Sequence, residues 1–179
     1  MRNVIRLVGD VANVIEDDWN LPVAESEETS RHSGRSIVAF ADWAETLESA
    51  PADAELAVLL PNDIDPEALF PLDPRVVLIA IDFPKFTDGR GYSIGFMVRR
   101  LGWTGEMRAV GEVLRDQLDY LRRAGFDSFA IAAHRDATEA IPGLFDFSDN
   151  YQASTTQPLP AFRRQPAGFA LTEGAPSGA

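Results

Sequence analysis

The sequence predicts an α/β protein: a mainly parallel sheet built from βα repeats, with an N-terminal β-hairpin. Three observations predict it. Residues 75–81 (RVVLIAI) form an almost unbroken Val/Ile/Leu run, the pattern of a strand buried on both faces of a parallel sheet. Around and after that run, strand-like segments alternate with helical stripes through short connections, and right-handed crossovers then make the sheet parallel. At the N-terminus two alternating apolar runs flank Gly9-Asp10, a hairpin signal. An open three-layer sheet and a partial β/α-barrel both fit this order of elements, and the pattern leaves the two open.

The elements follow in chain order. Residues 3–15 make the hairpin. Residues 20–35 are polar with few apolar anchors and read as a surface loop. Residues 36–40 are a short apolar strand. Asp42 then opens a helix to about residue 48, with Trp43 and Leu47 on one face at i, i+4. Leu56–Leu60 is the next strand, and Asp65-Pro66-Glu67 opens a short helix, Pro being favoured in the first turn. The strand at 75–81 ends on Asp82. Ile94, Met97, Val98 and Leu101 fall at i, i+3, i+4, i+7, an amphipathic helix stopped by Gly102. Residues 106–110 form a strand ended by Gly111. Leu114, Leu118 and Leu121 stripe the following helix, which ends at Gly125. Residues 128–132 are a last strand, and Asp136 caps a helix over residues 137–141. Residues 1–164 are read as a single α/β domain. Residues 165–179, rich in Pro, Gly, Ala and Ser, read as a flexible C-terminal tail.

Composition narrows the chemistry. The 179 residues hold no cysteine. Disulfides, a thiolate nucleophile, a Cys-ligated iron–sulfur cluster and a Cys-based zinc site are therefore excluded within this chain. His32 and His134 are the only imidazoles, and no carboxylates stand near them at ligand spacing, so no metal site is expected. No apolar run is long enough to span a bilayer, and Arg6 and Asp10 interrupt the N-terminal apolar positions. A cytoplasmic protein without a membrane partner is expected.

The net charge of −12 is uneven: residues 1–84 carry −12, residues 85–123 carry +3, and residues 124–179 carry −3. The central segment is where a small anionic ligand or an acidic partner is electrostatically favoured. Nucleic acid is not expected, because the overall field repels phosphate and no aromatic–basic module is present.

In parallel α/β folds ligands gather at the C-terminal ends of strands. Three such ends carry polar groups here. The first offers Asp82, Lys85, Asp88 and Arg90. The second offers Gly111, Glu112, Arg115, Asp116 and Gln117, with Arg108 inside the strand. The third offers His134, Arg135 and Asp136. Adjacent parallel strands would bring the three sets to one rim. Asp82, Lys85 and His134 are the candidates for catalysis, His134 because imidazole titrates near neutrality.

The segment Asp88-Gly89-Arg90-Gly91-Tyr92-Ser93 enters a helix, and backbone N–H groups there can hold an oxyanion with charge from Arg90 and Lys85. The simpler reading is that Asp88 or Ser93 only caps the helix. Arg108 is either an anion ligand or a structural ion pair with Glu106, Glu112 or Asp82. Asp116 and Gln117 either join the anion site or simply suit the start of their helix. The glycine spacing is neither a dinucleotide fingerprint nor a P-loop, so no cofactor is assigned.

The motif string Phe83-Pro84-Lys85-Phe86-Thr87-Asp88-Gly89-Arg90-Gly91-Tyr92-Ser93 resembles the bacterial domain of unknown function 934 family. So do Gly105-Glu106-Met107-Arg108-Ala109-Val110-Gly111, Leu114-Arg115-Asp116-Gln117 and Leu121-Arg122-Arg123-Ala124-Gly125-Phe126-Asp127, with Asp17-Asp18-Trp19 and Tyr151-Gln152 as outlying matches. The resemblance implies an oxidoreductase or accessory protein of assimilatory sulfate or sulfite reduction, with sulfite reductase or another sulfur-assimilation enzyme as partner. A non-catalytic interaction module docking through Arg99, Arg100, Arg122 and Arg123 is one alternative. A barrel-type enzyme for another small anionic metabolite is a second. The family often has cysteine where this chain has Ala124, so a thiol there is not essential to this member.

Overall fold

The computed structural model describes residues 3–22 and 35–164. The predicted tail at 165–179 and most of the loop at 20–35, including His32, lie outside the described residues. The described residues form nine strands and four α-helices: β1 (Val4–Val8), β2 (Val11–Ile15), β3 (Trp19–Asn20), β4 (Arg35–Ser36), β5 (Val38–Ala39), α1 (Trp43–Ser49), β6 (Leu56–Leu60), β7 (Val76–Phe83), α2 (Arg90–Arg100), β8 (Glu106–Gly111), α3 (Leu118–Ala124), β9 (Ser128–Ala130) and α4 (Ala137–Ala140).

Seven strands form one sheet in the order β2-β1-β9-β8-β7-β6-β5. The run β5 to β9 is parallel, and each strand pairs with its successor. β1 returns antiparallel along β9 and turns through Gly9-Asp10 into β2. Five successive parallel strands in sequential order place every right-handed crossover on the same face. The sheet is open, ending at β2 and β5, and among the described residues it lacks the second helix layer of a three-layer fold.

Side-chain alternation confirms the layering. Ile79, Ile81, Phe83, Met107, Ala109 and Phe129 point into a core that they share with Trp43 of α1, Ile94 and Val98 of α2, and Leu118 and Leu121 of α3. The opposite face carries Leu78, Ala80, Val110, Ala130 and Val4, and among the described residues no helix side chain joins them. Trp19 and Ile37 cover that face instead. The segment 16–21 therefore runs across the helix-free side as a strap.

Several element boundaries differ from the sequence reading for local reasons. The strand expected at 36–40 divides, because Ile37 turns its side chain into the helix-free face and the chain enters a 3-10 turn (Phe40–Asp42). Asp42 stands at the N-cap of α1, but its side chain makes no capping bond. The helix expected from Leu114 opens as a 3-10 turn (Arg115–Gln117), with the Gln117 side chain accepting the Leu114 N–H at 2.8 Å. Asp136 caps α4 as expected, accepting from the N–H groups of Thr138 and Glu139. β7 runs two residues past Ile81, so Asp82 belongs to the strand.

Candidate functional site

Because β7, β8 and β9 are adjacent and parallel, their C-terminal ends form one rim, and the loops that follow them stand side by side. Asp82 pairs in register with Val110, and Phe83 with Gly111. Asp82 and Val110 occupy the helix-free face. Burial pushes the Asp82 carboxyl above its ordinary value, while a backbone hydrogen bond at Phe83 works against that rise. Gly111 lies at φ +94°, and a Cβ there would stand 2.5 Å from the Phe83 carbonyl oxygen and 2.9 Å from Asp82 Oδ1. The two strand ends meet this closely because glycine occupies the position. Beside them Leu21 from the strap, Pro84, Glu112 and residues 130–133 enclose a shallow cavity of about 420 Å³.

The β7–α2 loop is held from both flanks. On one side Asn62 Nδ2 donates to Asp88 Oδ2 at 2.6 Å. Asp88 also accepts the Arg90 backbone N–H at 3.1 Å and its guanidinium at 2.7 and 3.0 Å. Arg90 holds the Asp88 carboxyl down at about 2. On the other side Gln117, 6% exposed, donates from Nε2 to the Phe86 carbonyl at 3.1 Å. Gln117 also hydrogen-bonds with the Tyr92 side chain, whose hydroxyl is pushed up by burial. Tyr92 stacks edge-on against Phe83 and Tyr120, with centroids 5.3 and 4.7 Å apart. Within the loop the Asp88 N–H closes a turn on the Lys85 carbonyl at 3.0 Å.

The sequence-selected residues do not converge on one cradle. At the start of α2 the Asp88 carboxylate accepts the Arg90 N–H, one of the groups an oxyanion there would use. Gly89 and Gly91 flank it, with the Phe83 ring packed on Gly91. Arg90 and Ser93 face Asn62 and Asp63 around a second cavity of about 390 Å³. Arg115 pairs with Asp146 at 2.9 Å. With Asp116, Arg135, Asp136 and Glu139 it lines a third cavity, of about 340 Å³.

Arg108 is 1% exposed and lies inside the sheet face. Its Nη1 and Nη2 reach Asp17 Oδ2 and Oδ1 at 2.7 and 3.0 Å, and it also donates to Glu106 and to Ser128 Oγ. Glu106 is the one partner anticipated from sequence. Asp17, at the start of the strap, is the partner that was missed; the Asp17-Asp18-Trp19 string was its only signal.

His134 is exposed on the loop after β9, where a turn from Ala132 to Arg135 and the Asn3 side chain on the Arg135 carbonyl fix the backbone. Lys85, the only lysine in the chain, stands exposed at the loop tip beside Phe86. Arg90, Arg108 and Arg115 each have a carboxylate partner. Lys85 has none among the described residues. Of the four arginines considered for docking, Arg99 is committed internally to the carbonyls of Trp103, Gly105 and Gly125 and to Asp127. Arg123 lies over the Tyr120 ring, and Arg122 over Phe145. Among the described residues no group of three or more metal-ligating side chains is gathered, and no helix is long and apolar enough to cross a membrane.

The family model described as "Bacterial protein of unknown function (DUF934)" matches residues 57–162. The chain belongs to this family. The matched stretch opens inside β6 and takes in every strand-end residue of the DUF934 rim, from Asn62 to Asp136. The hairpin and the strap, and so Asp17, precede it. No curated protein and no solved structure matches the chain.

Proposed function

We propose that this DUF934 protein is an accessory protein of assimilatory sulfate or sulfite reduction, and that its strand-end rim, centred on Lys85, is the working surface. The occupant of that surface is either a small oxyanion or the partner reductase itself. The placement in sulfur assimilation rests on the motif resemblance. The observation that carries the choice of surface is the contrast among cations: Arg90, Arg108 and Arg115 each have a carboxylate partner, whereas among the described residues Lys85, exposed on a loop held from both flanks, has none, and neither has Arg135 on the loop after β9. An exposed cation with no carboxylate partner among the described residues is where a negative group gains most from binding, because no existing ion pair has to be broken.

A second reading, a small-molecule enzyme using Asp82, Lys85 and His134, is supported by the cavity beside Gly111 and by the raised carboxyl of Asp82. A half-buried acid with a raised carboxyl keeps its proton to a higher pH than an ordinary carboxylate.

Deletion of the gene tests the first reading. The deletion strain is expected to grow on cysteine and to fail on both sulfate and sulfite. Undiminished growth on all three sulfur sources contradicts it.

A further inference from the structure

Phe86 is 57% exposed at the tip of the β7–α2 loop, although its own carbonyl is fixed by Gln117 and the next turn is fixed by Asn62 and Asp88. A loop this constrained has already given up its backbone entropy, yet Phe86 stays more exposed than buried and Lys85 gains no ion pair among the described residues. Neither side chain lines any of the three cavities at the rim. A small ligand would find no opposing wall here, so the second wall has to arrive with the occupant.

We propose that Lys85 and Phe86 form a preorganised docking point for a protein partner that presents an apolar slot edged by a carboxylate. Phe86 enters the slot and the Lys85 ammonium meets the acid. The chemistry is that of an interface anchor: a rigid aromatic held in place before contact, with one charge to fix its orientation. A carboxylate is the group on the partner that this charge selects, Lys85 having none of its own among the described residues. The proposal rests on the accessory-protein reading and selects, between its two occupants, the protein.

Photocrosslinking in the native bacterium tests it. Phe86 is replaced by p-benzoylphenylalanine, which preserves an aromatic side chain, in the full-length chain with and without Lys85→Glu. The same crosslinker at Tyr151, 66% exposed in the segment that follows α4, serves as the comparison. The expected result is one discrete adduct from position 86 that is absent from position 151 and lost with Lys85→Glu. Peptide mapping is expected to place the link in an apolar segment of another protein next to an Asp or Glu. No adduct at 86, an equal adduct at 151, indifference to Lys85→Glu, or a link back into this chain overturns it. The identity of the adduct separates the two levels: a partner outside sulfur assimilation leaves the docking point standing and removes the function proposed above.

Discussion

Arg108 and Asp17 meet across 91 positions of sequence in a two-pronged ion pair, with side chains 1% and 4% exposed. The contact fastens the strap to the helix-free face of the sheet. From there the strap lays Trp19 over the small residues of that face and ends with Leu21 against the rim cavity. Removing Arg108 takes from the buried Asp17 carboxylate, and from Glu106 beside it, the cation they share. Arg108→Ala is expected to cost about 3–5 kcal/mol in urea unfolding. The double variant Asp17→Leu/Arg108→Met is expected to recover much of that loss, and a double variant as unstable as Arg108→Ala would argue against the strap contact.

Gly111 is predicted to resist even a methyl group. Its φ of +94° strains any L side chain, and the Phe83 carbonyl blocks the Cβ position. Gly102 has a similar φ of +99° with nothing within 4 Å of where a Cβ would stand, so it isolates the backbone component. Gly111→Ala is expected to lose about 1–3 kcal/mol more than Gly102→Ala by chemical denaturation, the two sharing the strain of a left-handed residue. Equal losses would mean that the strand ends are not in contact.

Gln117 is predicted to hold the Lys85–Phe86 loop. Gln117→Leu keeps the side-chain volume and orphans the Leu114 N–H and the Phe86 carbonyl, at a cost of about 1–3 kcal/mol. Faster hydrogen exchange at the Asp88 amide, which closes the loop turn, is the sharper readout. Unchanged protection there would show that the loop does not depend on Gln117.

Asp119 supplies a pH test. It is 5% exposed, and its Oδ1 has no hydrogen-bond partner among the described residues. Burial raises its carboxyl above the ordinary 3.8, with Arg122 and Arg123 pulling the other way. The folded state therefore holds the proton more tightly than the unfolded chain. The stability this contributes is complete below 3.8 and is lost as pH rises through the raised value. Asp119→Asn should accordingly be more stable than the wild type at neutral pH, with the advantage fading in acid. An advantage that persists below 3.8 would point to a cause other than titration.

Much of the architecture was legible because it is local. The run in β7, the 94/97/98/101 stripe of α2 and the Asp136 cap each sit within a dozen residues of sequence, and their periodicity carries their structure. The shared rim was legible as a consequence of parallel order. What stayed hidden depends on distance or on competition. Asp17 reaches Arg108 only after the chain has passed from the edge strand β2 over β1 and β9 to β8. At the α2 N-terminus both an anion and a cap suit the same N–H groups, and the sequence does not say that Asp88 accepts the one of Arg90. Phe86 read as one more apolar residue of a motif, since sequence does not say which aromatic the fold leaves outside.

The most direct test of the rim is complementation of the deletion strain with Lys85→Ala, alongside wild type and Tyr151→Ala at matched protein levels. Lys85→Ala is expected to restore no growth on sulfate or sulfite, whereas both comparison alleles restore it. Full growth of the Lys85→Ala strain on sulfate, where the deletion strain fails, would contradict it.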